Sequence, residues 1–569
     1  MIIFPVYSLT FGSSRLRLLH TSDSEGNWRQ SGRVIAEFKA LKKQATDEGK
    51  DVLTFHAGDM GVGQTKSDYG DRFSTTVKVW NQAGLDAFVP GNHDQSAENW
   101  VEDLKNIAQF QTLGVNFKKA PGHILPWVEK TLERSGKLPE RYGVIGVTLP
   151  NIHKRVPAEY NKTPLESEDL KTSIDLVRKT ITDVQRKGIN KIIAVSHMGL
   201  KNDIALAKEV PAIDVIVGGH THFNLPNGVW LEHENGKKTL VLQTNSDGNF
   251  YGKVDVSFDD SGNLEKAKTH VRILQPTQPV DPPVAKVIGD YKKSCKPIAA
   301  FVRPYHSSFY KYRPNPVADY LVDAMRNMFD YVPDLKVYAK QSPSWPKDQD
   351  GNPRIDFGVL RSNHFRSSLP AGLITDVDLD EFLPMQSPLA IVRVRGQDIV
   401  DALQATANFW SGADVNVGHD PRSIFPAGFS YKIDASKPGS KVEDIIDNRT
   451  GKPLETKKEY VVVTDRFNVR SKDRHDFQSL NINYNPGMKI LWESKPAEDG
   501  VSLTWLMSQL IKRLNDGNVS KPIDWQKLPS KNNLSIVEPK GYQYPFTFKD
   551  RVQRITNMNF GLPPQEASL

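Results

Sequence analysis

Cysteine is almost absent from this chain: Cys295 is the single one in 569 residues. An intramolecular disulfide is therefore excluded, as is a zinc site built on several cysteines, and the redox compartment is unmarked. Long apolar runs are missing as well. No stretch approaches the roughly 20 apolar residues that cross a bilayer. Charge is not gathered into blocks. The net charge of +7 is diffuse, which favours anionic ligands weakly and gives no reason to expect a nucleic acid polymer as partner. There is no internal repeat and no low-complexity tract.

The chain is too long for one ordinary core, so two or more domains are expected. It is 38% hydrophobic and 25% charged, the balance of a globular protein. The opening "MIIFPVYSLTFGSS" is apolar and ends in small residues. It reads either as a signal peptide or as an ordinary first strand, and it has a proline and no basic start.

Up to about residue 260, short apolar runs alternate with helical patterns. "DVLTFHAGD", "LDAFVPGNHD", "YGVIGVT", "KIIAVSHMG" and "IDVIVGGHTH" read as buried strands. Val34, Ile35, Phe38 and Leu41 recur at helical spacing within Asn27–Glu48, and Ile174, Val177, Ile181 and Val184 do so within Ser173–Lys187. This alternation argues for an α/β sheet covered by helices. The proline-dense Pro276–Val284 suits a stiff connector, followed by a short helix over Ala285–Lys296. After Ser307 an α+β texture follows, with helices predicted from Asn315 or Pro316 and in "QDIVDALQATANF", and strands in "LAIVRVRG" and "EYVVVTDRF".

In α/β sheets the carboxyl ends of strands line the crevice where ligands bind. Five loops at such ends carry oxygen or imidazole side chains: Asp23 and Glu25 in "SDSEG", Asp59 in "HAGDMG", Asn92, His93 and Asp94 in "VPGNHDQ", His197 in "VSHMG", and His220 and His222 in "GGHTHF". A single histidine at a strand end is more often structural than a ligand, and "GNHD" alone could be a turn. Five separate loops ending this way point to a metal site.

This ordered set resembles the signature of calcineurin-like metallophosphoesterases. The later segments "VADYLVDAMR", "RSSLPAGLITDVDLDEFLPMQSPLAIVRVRGQDIVDALQ" and "YVVVTDRF" resemble the C-terminal domain of the 5′-nucleotidase family, which includes UDP-sugar hydrolases and 2′,3′-cyclic-nucleotide phosphodiesterases. The resemblance covers nearly the whole chain. It implies a two-domain α/β protein: an N-terminal calcineurin-like α/β sandwich over 15–272, a linker over 273–305, and a C-terminal α+β substrate-binding domain over 306–550. It also implies hydrolysis of phosphate esters of nucleotides by metal-activated water, with no covalent enzyme intermediate. Asp59 would bridge two divalent metal ions. Asp23, Glu25 and His222 would hold the first, and Asn92, His197 and His220 the second. His93 would stand near the leaving group, with Asp94 orienting its ring.

The family usually has histidine where this chain has Glu25. Two divalent ions carry four positive charges; Asp23 and Asp59 offset two, and Glu25 a third. The site should then hold metal well and attract an anionic substrate less. An oxygen donor also shifts preference among Mn, Mg and Zn away from zinc, with Mn favoured.

In the second domain, the family arginine that grips the nucleotide falls on Arg366, but the two glycines before it are replaced by Asn363 and His364. Phe467 matches one aromatic of the base clamp, Phe425 is the candidate for the other, and Asp473 matches the carboxylate that binds ribose hydroxyls. Two other outcomes stay open: a relative that binds nucleotide or metal without efficient turnover, and a hydrolase acting on a carrier-bound thiosulfonate. Relatives are mostly exported, so a periplasmic or secreted location is expected, with the cytoplasm as the alternative.

Overall fold

The computed structural model describes residues 14–537 except 62–71, 98, 134–138, 157–163, 247, 249, 260, 275–277, 306–315, 384–386, 411–422, 435–440, 471–477 and 530–532. The apolar opening segment and Asp473 lie outside the described residues. The chain divides into two compact units, chiefly 1–290 and 291–546.

The first unit is a sandwich of two sheets. One has seven strands in the order Leu264–Ile273, Phe250–Phe258, Ser14–Thr21, Asp51–His56, Ala87–Phe88, Gln111–Leu113 and Ile124–Leu125. The other has six: Val229–Glu232, Lys238–Gln243, Val215–Gly218, Lys191–Ser196, Glu140–Val147 and Trp127–Leu132. The strands read from sequence as buried are the parallel ones at the centres of both sheets. Their apolar residues leave no solvated face. Leu16, Leu18, Leu53 and Phe55 of the first sheet meet Val144, Ile193, Val195 and Val217 of the second in one shared core.

Helices close the two outer faces. Over the six-stranded sheet, helix Leu170–Arg186 buries Ile174, Val177, Ile181 and Val184. Its start is set by Asp169, whose carboxylate accepts the Thr172 amide at 2.8 Å. Helix Trp28–Asp47 buries Val34, Ile35 and Phe38, the last edge-on to Tyr251 at 6.0 Å; Leu41 is only partly buried. Burying an aliphatic or aromatic side chain in this way contributes about 1.5–3 kcal/mol. The connector differs from expectation. A helix covers Pro282–Lys292, beginning inside the proline-rich segment, because a first turn needs no amide donors and proline's fixed φ suits it.

The second unit is α+β. Its five-stranded sheet has the order Ile424–Ala427, Phe357–Arg361, Glu459–Asp465, Leu389–Arg395 and Lys489–Glu493, and helices Pro316–Arg326 and Gly396–Trp410 realise the predicted pair.

Asp214 supplies a pH test of the first unit. Its carboxylate accepts the Ile192 amide at 2.7 Å, and burial pushes its pKa up to about 7. An unfolded Asp titrates near about 3.9. The fold therefore prefers the protonated form, whose contribution is full below about pH 4 and is lost as pH rises through about 7. The wild-type Tm should fall more between pH 5 and pH 8 than that of Asp214→Asn; equal falls in differential scanning calorimetry would contradict this.

Candidate metal centre

Every candidate ligand of the first unit follows a parallel strand. Asp23 and Glu25 follow Ser14–Thr21, Asp59 follows Asp51–His56, Asn92 follows Ala87–Phe88, His197 follows Lys191–Ser196, and His220 and His222 follow Val215–Gly218. The first two loops continue the pairing of their strands: the Asp23 amide donates to Gly58 O at 2.9 Å and the Glu25 amide to Asp59 O at 3.0 Å.

The backbone at these positions is unusual. Eight described non-glycine residues have positive φ, and five of them are Asp23 (50°), Glu25 (49°), Asp59 (51°), His220 (74°) and His222 (57°). Left-handed backbone is disfavoured for any residue with a Cβ and persists where the surroundings enforce it, commonly at functional sites. Here it turns side chains at strand ends inward.

The side chains meet. Ligand atoms of Asp59, His197 and His220 all lie within 4.8 Å of one another. His197 Nε2 stands 3.1 Å from Asp59 Oδ2, while its Nδ1 donates to Ala57 O at 2.7 Å. A carbonyl can only accept, so that contact fixes the proton on Nδ1 and leaves Nε2 toward the cluster. Beside this trio, His222 Nε2 lies 3.4 Å from Asp23 Oδ1 and 3.6 Å from Glu25 Oε1. The His220 amide donates to both oxygens of Asp23, each at 3.1 Å. Three carboxylates, three imidazoles and the buried amide oxygen of Asn92, which accepts no hydrogen bond among the described residues, form a donor set suited to divalent cations.

Charge is strained in this buried space. Burial pushes Asp23 up to about 7, partly opposed by His197. Burial works against the charge of Asp59 too, but His197 and His93 outweigh it and hold its carboxyl well below the usual range. Burial would discharge His197, but Asp59 prevails and raises its pKa to about 10. Burial and His197 leave His220 far below an ordinary histidine.

Asp94 binds the backbone of two loops. Its Oδ2 accepts the amides of Asp59 (2.9 Å) and Gly91 (2.8 Å), and its Oδ1 that of Gly61 (2.8 Å). It ties the Asp59 loop to the "GNHD" loop. The His93 amide donates to Asp59 Oδ1 at 2.8 Å, completing that tie.

Supporting residues escaped the sequence reading. Gln243 holds the "GGHTH" loop: its amide donates to Gly219 O at 2.6 Å, and its oxygen accepts Thr221 Oγ1 and the Phe223 amide. Asp203, buried on helix Leu200–Glu209, pairs with Ser196 beside His197. Ser24 Oγ donates to Met60 O and meets His56 Nε2 at 3.0 Å. The available signals were faint: a polar residue closing the apolar run "TLVLQ", and an acid on a helix's buried face.

In the second unit, Arg366 is buried and Phe467 is 43% exposed. Phe425 does not serve as a clamp aromatic. It is fully buried, with its ring 5.8 Å from that of Phe365, because its strand lies in the sheet with that ring toward the core.

Comparison with known proteins matches residues 16–224 to the calcineurin-like phosphoesterase family and residues 304–481 to the 5′-nucleotidase C-terminal domain. A snake venom 5′-nucleotidase of Crotalus adamanteus is 24% identical over 84% of this chain and 85% of its own. Among solved structures, a 5′-nucleotidase precursor from Thermus thermophilus matches with a TM-score of 0.63 and 20% identity, covering 92% of this chain and 99% of that one. A sulfate thiohydrolase from the same organism matches with a TM-score of 0.60 and 15% identity, covering 96% and 99%.

Three glycines crowd the centre. A Cβ at Gly91 would stand 2.2 Å from Asp59 Oδ1 and 2.5 Å from His197 Nε2; those at Gly58 and Gly219 would stand 2.1 and 3.1 Å from His197 Nδ1. Gly91→Ala should weaken Mn²⁺ binding by about 10–100-fold, as displaced supporting groups do, with little change in circular dichroism. Unchanged Mn²⁺ affinity in a calorimetric titration would contradict the packing.

Proposed function

We propose, for a chain that belongs to the calcineurin-like phosphoesterases carrying a 5′-nucleotidase C-terminal domain, that it hydrolyses phosphate esters of nucleotides with the help of divalent metal ions. The observation that carries this reading is the convergence of Asp59, His197 and His220 within 4.8 Å, with Asp23, Glu25 and His222 beside them.

We assign Asp59 to the position between two ions, Asp23, Glu25 and His222 to one ion, and Asn92, His197 and His220 to the other. Bound ions would supply Lewis acidity that activates a water and offsets phosphoryl charge. Glu25 is taken as a ligand because it is buried and its Oε1 is directed at His222 Nε2. Three carboxylates among the donors favour Mn²⁺ or Mg²⁺ over Zn²⁺. His93 is assigned to the leaving group or the charge that develops there. Asp94 supports it through the loop backbone.

In the second unit Arg366, Phe467 and Asp473 are assigned to the nucleoside part of the substrate. The exposed ring of Phe467 supports a stacking role. We place the protein outside the cytoplasm, in the periplasm or secreted, as the venom relative's setting suggests. Among the described residues no helix is long and apolar enough to cross a membrane.

A second reading, binding without turnover, draws on the buried Glu25, a carboxylate where the resembling family usually has histidine, and on the side chain of His364 in the recognition loop. One experiment separates the two. Chelator-stripped protein is given nucleotides, nucleotide sugars, cyclic nucleotides and simple phosphomonoesters with Mn²⁺, Mg²⁺, Zn²⁺ or Ca²⁺, and phosphate release is recorded. Release should require an added ion and be greatest with Mn²⁺, and His93→Ala should lower kcat by about 10²–10⁴-fold, with Asp59→Asn at least as damaging. Nucleotide binding without release under every condition would select the second reading.

A further inference from the structure

We propose that His364 locks the segment carrying Arg366 to the segment carrying Phe467, and thereby sets how tightly the enzyme holds the nucleoside part of its substrate. This rests on the nucleotide-hydrolase reading above. His364 stands where the resembling family has glycine, so the contacts it makes are additions of this chain.

The contacts are specific. His364 Nε2 lies 3.1 Å from Asp465 Oδ2, and its Nδ1 lies 3.2 Å from Ser387 Oγ. A neutral ring can accept from the Ser387 hydroxyl at Nδ1, which leaves Nε2 beside the Asp465 carboxylate at ion-pair distance, outside hydrogen-bond geometry. All three side chains are buried, at 2%, 0% and 4% exposure for His364, Asp465 and Ser387. Serine, histidine and aspartate in a row have the composition of a hydrolytic triad, but at this depth the hydroxyl cannot reach a substrate. What such a set can do is join chain segments.

The segments joined are those of the nucleoside site. Asp465 accepts the Asn468 amide at 3.0 Å and also meets that residue's side chain, so it holds the first turn of Arg466–Arg470, on which Phe467 sits. The Arg466 amide donates to Pro388 O at 2.8 Å, next to Ser387. On the other side, His364 closes the short helical turn Ser362–His364, two residues before Arg366. The Arg366 amide donates to Phe382 O at 3.0 Å, and Phe365 packs between Phe382 and Phe425 at 5.1 and 5.8 Å. A glycine at position 364 would leave the carboxylate of Asp465 buried without the imidazole and the loop without this anchor. His364 and Asp465 thus form a matched pair, and His364 acts as a positioning residue.

The test compares two substrates of the metal-loaded full chain. One is the nucleotide turned over best in the phosphate-release screen. The other is p-nitrophenyl phosphate, which has no nucleoside. In His364→Gly, KM for the nucleotide should rise about tenfold or more while KM for p-nitrophenyl phosphate moves less than about twofold. His364→Gln, which keeps a side-chain N–H for Asp465, should recover most of the loss. Should His364→Gly fail to fold, Asp465→Asn is read in the same way. A common shift for both substrates, or none, in a folded variant overturns the proposal. Arg366→Ala and Phe467→Ala serve as controls. If they separate the substrates and His364→Gly does not, only the lock is wrong; if they do not, the assignment of the nucleoside site fails with it.

Discussion

The first unit depends on a backbone constraint at the ends of its parallel strands. Asp23, Glu25, Asp59, His220 and His222 all adopt the left-handed conformation, each at a cost that elsewhere would be relieved by glycine. The cost is tolerated because two sheets converge there and hydrogen bonds to the backbone, several of them accepted by carboxylates, brace the loops. Asp94 gathers three amides from two loops, and Asp23 receives the amide of His220 from the opposite sheet. These carboxylates act on the backbone first. The side chains that face the cluster are aimed by the turns so fixed.

The same constraint explains the electrostatics. Carboxylates and imidazoles brought together out of water cannot all keep their ordinary charges. Asp59 and His197 resolve this as an ion pair at 3.1 Å, while Asp23 and His220 are driven toward their neutral forms. Divalent cations suit such a site because they stabilise the charged carboxylates and the neutral imidazoles together. Glu25 adds a third carboxylate to this balance and distinguishes the centre from the usual pattern of the family.

The second unit shows how one scaffold can carry altered recognition. His364 occupies a position where the resembling family has glycine, and its side chain enters the interior. His364 finds Asp465 and Ser387, and Phe425 is absorbed into the core beside Phe365. The thiohydrolase that shares the fold at 15% identity makes the same point: the fold alone leaves the substrate undetermined.

Much was legible in the chain itself. Apolar runs fully buried on both faces announced parallel strands, helical periodicity located the two long helices of the first unit, and ligand-type residues clustered at strand ends because that is where parallel sheets open. These signals are local, so the sequence carries them directly. Other features arise only when distant segments meet. The sequence marked Asp94 as a partner of its neighbour His93, whereas the fold turns its oxygens to amides of residues 59, 61 and 91. It left Phe425 open between a clamp aromatic and a core residue, and the fold places it in the core beside Phe365. Gln243 and Asp203 gave almost no signal, since their value lies in loops brought to them by other strands. Residue type and spacing determined which chemistry was possible; long-range packing decided which side chains face the centre, which hold it in shape, and which vanish into the core.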